Sequence, residues 1–336
     1  MGSSGAERAA VSVVVPTRDR AALLRRTLRT ALWQEAVDLE VVVVDDGSTD
    51  ETAQMVSSLG DARVRLVRND GDHGVSHARN LGIASADGNW IAFLDDDDLW
   101  APSKLRQQLE RAEERSAAWA FSSAVHVLHG PELWTLQPVP TPESAAVGAI
   151  ERRNVVPAGA SNVVARRDIL ERVGGFDPRL RHLADWHLWR RLAAADAPAT
   201  LEDYHVAYWL HAHNWLLKDL EGVHDEFDLI VADDPREVVD PIWLDDWIAG
   251  TLRRAGRHRA AATVHLRAAR RDHPLRSALH AARALVPIAD LRRTVLRRPA
   301  AAWPADVRGW LERALDAEPA ASASGGDRHD EPRSGS

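Results

Sequence analysis

The sequence predicts an α/β fold: a doubly wound, mostly parallel sheet followed by a helical C-terminal region. Three observations predict it. Short β-branched runs recur through the first hundred residues, segments of helical spacing separate them, and each of three runs ends in a polar loop.

The elements follow in order. Val11 to Pro16 (VSVVVP) and Leu39 to Asp46 (LEVVVVDD) are β-branched runs, and residues 62–69 (ARVRLVRN) alternate as a strand should. Ala21 to Leu32, Glu51 to Leu59 and about Val75 to Ala84 have helical spacing, and Trp90 to Leu94 reads as a short buried strand. The order βαβαβαβ implies parallel strands with helices on both faces, and ligands of such sheets bind beyond the carboxyl ends of the strands. Those ends carry Pro16-Thr17-Arg18-Asp19, then Asp45 to Asp50, then four consecutive aspartates, Asp95 to Asp98. Asp50 suits an N-cap of the second helix. Pro102 opens a further helical pattern, and Asp98 is read as an acid at that helix's N-terminus.

Beyond Leu109, AWAFSSAVHVL and ELWTLQPV suggest two strands and SNVVARRDIL a strand then a helix. GGFDP (174–178) reads as a turn, and Asp185 to Ala195 starts an amphipathic helix. From about Trp215 to near Leu315 the pattern is helical. Residues 1–10 are expected to be a flexible start, 11–214 one catalytic unit, 215–317 a helical, arginine-rich region, and 318–336 a disordered tail.

Bulk properties narrow the function. The chain has 336 residues and no cysteine, which excludes thiol catalysis and zinc-thiolate sites. A net charge of -8 argues against nucleic acid as the main partner. Residues 251–300 nevertheless hold thirteen arginines and two acids, a solvated helical face or a surface for an anionic acceptor or membrane. No apolar run approaches the roughly 20 residues of a spanning helix, so a cytoplasmic location is expected, with peripheral contact at the inner membrane face open to the arginine-rich helices. Four carboxylates fixed behind a buried strand suggest a cation.

The string VSVVVPTRDR, LEVVVVDDGSTDET, RVRLVRND and GVSHARNLGIASADGNWIAFLDDDDLWAPSKL, in that order, resembles the inverting family 2 glycosyltransferases with the Rossmann-like GT-A fold. The likeness runs from about Val11 to His213. It implies transfer of a sugar from a nucleotide diphosphate sugar, a UDP-sugar ahead of a GDP- or dTDP-sugar, with Mn²⁺ or Mg²⁺ as cofactor. The chemistry agrees, because a divalent ion neutralises the departing diphosphate and hard cations prefer oxygen ligands. By that resemblance the D-x-D motif falls on Asp95-Asp96-Asp97, with Asp97 the principal metal ligand and Asp95 on the ribose or the metal.

The resemblance also implies that Asp46 accepts a hydrogen bond from the base, that backbone at Pro16 and Thr17 holds it, and that Arg79 turns toward the nucleotide. The residue-level alternative for Arg79 is an ion pair with a nearby aspartate. Some relatives stack an aromatic ring where this sequence has Arg18, a departure that weakens any claim about uridine; a guanidinium can also stack. Gly159, in PAGASNVV, falls where a glycine loop faces the donor sugar. Asp185 takes the place of the general base after GGFD, and the acid that normally precedes it is Ala184, which implies a lost acceptor-side contact. The alternative for Asp185 is a helix N-cap. Family spacing puts His211, ahead of His213, at the metal.

Trp186 beside the base and Trp215 are candidates for acceptor contact, since sugar faces pack on indole rings. The acceptor is open among a glycan, a lipid-linked intermediate, a peptide and a secondary metabolite. The rival expectation is a degenerate nucleotide-sugar binder or scaffold whose basic helices bind a partner; Ala184 and Arg18 favour it, and joint retention of Asp46, Asp95, Asp97 and Asp185 opposes it. A P-loop is excluded by the absence of its glycine-lysine motif.

Overall fold

The structure is a computed structural model, and it describes residues 10–128, 133–210, 220–232, 239, 241–254, 257–269 and 304–316. A nine-stranded sheet forms its centre. Strands β1 (Val11–Thr17), β2 (Leu39–Asp45), β3 (Val64–Arg68) and β4 (Trp90–Phe93) pair in parallel in the order β3-β2-β1-β4. Helices α1 (Ala21–Leu32), α2 (Thr52–Ser58) and α3 (Val75–Ser85) make the crossovers.

Strand β1 is buried along its whole length because it is covered on both sides. Val13 and Val15 pack with Leu24 and Leu28 of α1 on one face, and Val14 packs with Ile83 and Phe93 on the other. The second face admits α3 at unusually short range. A β-carbon at Gly82 of that helix would lie 2.3 Å from Cγ1 of Val14, so glycine is required there by the approach of helix to sheet.

Beyond β4 the direction rule changes. Strand β8 (Val164–Arg166) joins β4 antiparallel through three residue pairs, and β6 (Trp119–Leu128) follows it antiparallel. Strand β9 (Ala199–Leu210) then runs parallel to β6, and the two-residue β5 (Leu99–Trp100) closes the edge. The predicted pair of strands is β6 with β7 (Leu133–Gln137), antiparallel. Because β8 starts beside the end of β4, its entry segment reaches the same sheet edge as the ends of β1, β2 and β4.

Helices α4 (Lys104–Arg115), α5 (Ala146–Arg152), α6 (Arg167–Val173) and α7 (Ala184–Ala195) cover the second half. The later helices α8 (Leu220–Ala232), α9 (Pro241–Arg254) and α10 (His258–Ala269) add Val223, Phe227, Leu244, Ile248 and Ala261 to the core beneath α7. The last, α11 (Ala305–Asp316), lays Val307, Trp310 and Leu311 against Leu99, Val125 and Ala207 of the sheet. Among the described residues no helix is long and apolar enough to cross a membrane. Eight of the thirteen arginines of the basic stretch, Arg270 to Arg298, lie outside the described residues.

Candidate active site

The carboxyl ends of β1 and β2 are register partners, Thr17 opposite Asp45, and the Asp46 amide donates to the Thr17 carbonyl at 2.9 Å. Pro16 lies inside the ladder opposite Val44. The loop after β4 brings its four aspartates to this edge.

Those carboxylates have different surroundings. Asp96 is buried, accepts from the Thr17 hydroxyl at 2.8 Å and from Arg20 Nη1 at 2.9 Å. The same Arg20 nitrogen donates to Asp97 Oδ2 at 2.9 Å. Burial, with Asp97 beside it, pushes the Asp96 carboxyl up to about 7, against the pull of Arg20 and Thr17. Asp95 is paired with Arg79 Nη2 at 2.5 Å, and that guanidinium lies 5.1 Å from the centre of the Phe176 ring. Of the two roles open to Arg79, the ion pair is therefore present.

Asp98 corrects an expectation. It lies six residues before α4 and is completely buried, so it is no helix N-terminal acid. The Ser161 hydroxyl donates to its Oδ2 at 2.5 Å and the Trp209 amide of β9 to its Oδ1 at 3.1 Å. Burial, reinforced by Asp97 and Asp95, holds its pKa well above the usual carboxylate value. Ser161 Oγ also accepts from the Asp95 amide at 3.0 Å, and its carbonyl accepts from Trp100 Nε1 at 2.7 Å. The acidic loop is thus bolted to the segment that enters β8.

That segment is itself held from below. Asn162 donates to the carbonyls of Ser122 and Pro157 and accepts from the Ser122 amide at 3.0 Å. Gln108 of α4 donates to the Asn162 carbonyl at 2.8 Å and accepts from the buried Lys104 Nζ at 2.8 Å. Ala158 and Gly159 both adopt left-handed backbone, with φ of 56° and 52°. The resulting bend puts Gly159 beside Asp185.

Asp185 sits in the first turn of α7, half-buried. Its Oδ1 accepts from the Trp186 amide at 2.6 Å and its Oδ2 from Asn154 Nδ2 at 3.3 Å. Burial raises its pKa; Arg79 and the Trp186 amide pull the other way, while Asp95 adds to the rise. The carboxylate that would serve as base and the acidic loop therefore lie within each other's electrostatic reach, with Arg79 between their fields. Ala184 points into the core and is 1% exposed, a place where a second carboxylate would be desolvated.

At the carboxyl end of β2, Asp46 is already engaged. Its Oδ1 accepts from Asn69 Nδ2 at 2.7 Å and the His73 amide at 3.3 Å, and its Oδ2 from the Gly74 amide at 2.8 Å. It fixes the turn into α3 and keeps acceptor capacity on Oδ2. Arg18 is exposed and ion-paired with Asp72 across the mouth of that turn. Asp50 is not the N-cap expected, since that place falls to Glu51; one residue earlier, its Oδ1 accepts from the Thr52 amide at 3.0 Å and its Oδ2 from the Ala21 amide at 3.1 Å, tying the start of α2 to α1.

Trp186 is a second correction. It is fully buried, its indole donates to the Ile150 carbonyl at 2.8 Å, and its ring stacks on Phe227 of α8 at 6.1 Å, so it packs the core and offers no face to an acceptor. His211, His213 and Trp215 lie outside the described residues. Sequence reasoning missed Arg20, Ser161, Asn162 and Asn154. Only Arg20 had a signal: buried carboxylates need a cationic partner, and Arg20 opens α1 at the same sheet edge.

The family model for Glycosyl transferase family 2 matches residues 12–174. The chain is 46% identical over 113 residues to the succinoglycan biosynthesis protein ExoO of Rhizobium meliloti, covering 34% of this chain and 32% of that protein. It is 30% identical over 113 residues to the Escherichia coli UDP-Glc:alpha-D-GlcNAc-diphosphoundecaprenol beta-1,3-glucosyltransferase WfaP, covering 34% and 45%. The chain thus spans about a third to a half of the length of these curated relatives. Among solved structures, S. aureus TarS 1-349 in complex with UDP-GlcNAc is similar with a TM-score of 0.58 and 19% identity, covering 90% of this chain and 86% of that one. The mannosyltransferase PcManGT from Pyrobaculum calidifontis, in complex with GDP-Man and Mn²⁺, has a TM-score of 0.51 and 20% identity, covering 93% and 89%. Over residues 12–174 the chain therefore resembles the glycosyl transferase family 2, on a GT-A fold.

Proposed function

We propose that this protein transfers a sugar from a nucleoside diphosphate sugar to an acceptor hydroxyl in a single inverting displacement, with Asp185 as general base. One observation carries the reading. The half-buried Asp185, its pKa raised, stands against the Gly159 bend and within the field of Asp95. A carboxylate with a raised pKa is better matched to accepting a proton near neutral pH. The acceptor oxygen bonds to the anomeric carbon as its proton passes to an Asp185 oxygen. The bond from that carbon to the phosphate oxygen breaks on the opposite face, and its electron pair leaves with the diphosphate.

The donor set suits a hard divalent cation. Asp95 and Asp97 offer carboxylate oxygens, and Arg20 Nη1 already stands between Asp96 and Asp97 as a positive charge. Among the described residues no three acidic or histidine side chains converge on one point, so phosphate oxygens and water would complete the shell, as is usual for Mg²⁺. Bound there, Mn²⁺ or Mg²⁺ would neutralise charge on the leaving diphosphate. Asp46, with the backbone of Thr17, would hold the base, and Gly159 leaves room for the donor sugar.

A UDP-sugar is the favoured donor, since UDP-Glc and UDP-GlcNAc appear in the names of a relative and a neighbour, with GDP-Man in another. A diphosphoundecaprenol-linked sugar is the acceptor of one relative, which favours a lipid-linked or polysaccharide acceptor and a place of work at the inner membrane face. Calorimetry with UDP-, GDP- and dTDP-sugars, in Mn²⁺ and then in EDTA, tests the donor reading. Metal-dependent binding of one nucleotide with slow donor hydrolysis is the expected result; no binding under either condition leaves a degenerate scaffold.

A further inference from the structure

We infer that Arg20 is a built-in counter-ion that competes with the divalent cation, so that metal uptake depends on the nucleotide donor. The inference rests on the reading that a cation and diphosphate occupy the Asp95 to Asp97 loop. One guanidinium nitrogen, Nη1, lies 2.9 Å from Asp96 Oδ1 and 2.9 Å from Asp97 Oδ2. The two carboxylate side chains are 7% and 9% exposed and that of Arg20 is 26% exposed, so these charges are screened little by water. The backbone next to Arg20 is pinned as well, since the Ala21 amide donates to Asp50 Oδ2 at 3.1 Å.

A divalent ion that takes Asp97 must displace that nitrogen and still meet a guanidinium held on the same helix start. Without nucleotide it gains an oxygen ligand but loses hydration and faces a like charge a few ångströms away. The diphosphate changes this balance by adding negative charge for both cations. Arginine is suited to the exchange, because its planar fork binds phosphate oxygens as readily as carboxylates. Metal and nucleotide thus strengthen each other's binding, and Arg20 sets the size of that coupling.

The test uses the full chain and electron paramagnetic resonance of free Mn²⁺, with no nucleotide, with UDP and with GDP. In the parent protein, uptake of Mn²⁺ alone is weak and UDP or GDP strengthens it by about tenfold or more, within the usual range of coupling between sites. Arg20→Gln is expected to bind Mn²⁺ alone about tenfold more tightly, with the nucleotide effect shrinking to about threefold or less. Arg20→Lys keeps the charge without the fork and should fall between; it carries the comparison if circular dichroism shows that the glutamine variant is unfolded. Arg20→Gln binding Mn²⁺ no more tightly, with the parent's nucleotide effect intact, overturns the inference and leaves the metal reading standing. Absence of Mn²⁺ uptake by the parent with either nucleotide, or uptake that survives Asp97→Asn, overturns both.

Discussion

The α-carbon of Gly159 faces the carboxylate of Asp185 so closely that a methyl group there would stand 2.8 Å from Oδ2. Two facts favour glycine: above all the contact, and a left-handed backbone φ of 52°, which side chains adopt only at a cost. Gly159→Ala must move either the bend or the Asp185 carboxylate. Because small displacements of a reacting group are costly, turnover is expected to fall by about a hundredfold, with UDP affinity changed little. Steady-state kinetics beside nucleotide calorimetry checks it; unchanged turnover would remove the bend from the site.

Asp185→Asn separates catalysis from binding. Loss of a general base is expected to lower turnover by about 10²-fold or more while nucleotide affinity stays within about twofold. In the parent protein the raised pKa places the acid limb of kcat/KM above the ordinary aspartate value, with activity lost as pH falls through it. A variant as active as the parent would mean that another group takes the proton.

The same substitution should make the protein more stable. A carboxyl whose folded pKa exceeds its unfolded one favours folding below the unfolded value, and that contribution is lost as pH rises through the folded value. At neutral pH the ionised Asp185 therefore opposes folding, and Asp185→Asn is expected to raise the melting temperature by about 2 °C. The gain should vanish below about pH 4, near the reference pKa of aspartate. Melting curves at pH 4 and pH 7 read the difference directly.

Ser161→Ala removes the donor to Asp98 and the acceptor of the Asp95 amide in one step. Leaving a buried carboxylate short of a partner is expected to cost about 1–3 kcal/mol. Urea unfolding would show it as a lower midpoint at unchanged slope, and Mn²⁺ with UDP should bind more weakly because the acidic loop loses its anchor.

Trp186 tests a core position against an acceptor contact. Trp186→Ala is expected to cost about 3–5 kcal/mol. Trp186→Phe keeps most of the packing, loses the hydrogen bond to Ile150, and should leave the KM for acceptor unaltered. A raised acceptor KM in a fully folded phenylalanine variant would restore the binding role.

Much of the fold was legible because its signals are local. The runs that form β1, β2 and β4 are short, β-branched and followed by polar loops, so strands and site edge could be read together. The reversal at β8 was not, since three residues of ladder leave no periodic trace. Asp98 was misjudged for a related reason: its amide partner, Trp209, is 111 positions away, and only the completed sheet brings it near. Trp186 sits beside Asp185 in sequence, but the rotation of α7 is set by Phe227 and Trp243, which pack on that indole from helices formed later in the chain. Pattern and resemblance single out Asp46, Asp95, Asp97 and Asp185 as candidates; Arg20, which pairs with two of the loop carboxylates, was passed over although its place at the start of α1 gave a signal.

The antiparallel strand between β4 and β6 gives the molecule a seam. The ends of β1, β2 and β4, where the nucleotide is proposed to bind, lie on one side of it, while the excursion through β7 and α5 leaves β6 and returns into β8. β7 pairs with β6, and Ile150 of α5 accepts from Trp186 Nε1, so a change in residues 133–152 reaches α7 before it reaches the ladder of β1 to β4. Substitutions there should disturb the helix that carries Asp185 and leave nucleotide affinity where it was, so the two halves can drift independently in one continuous sheet.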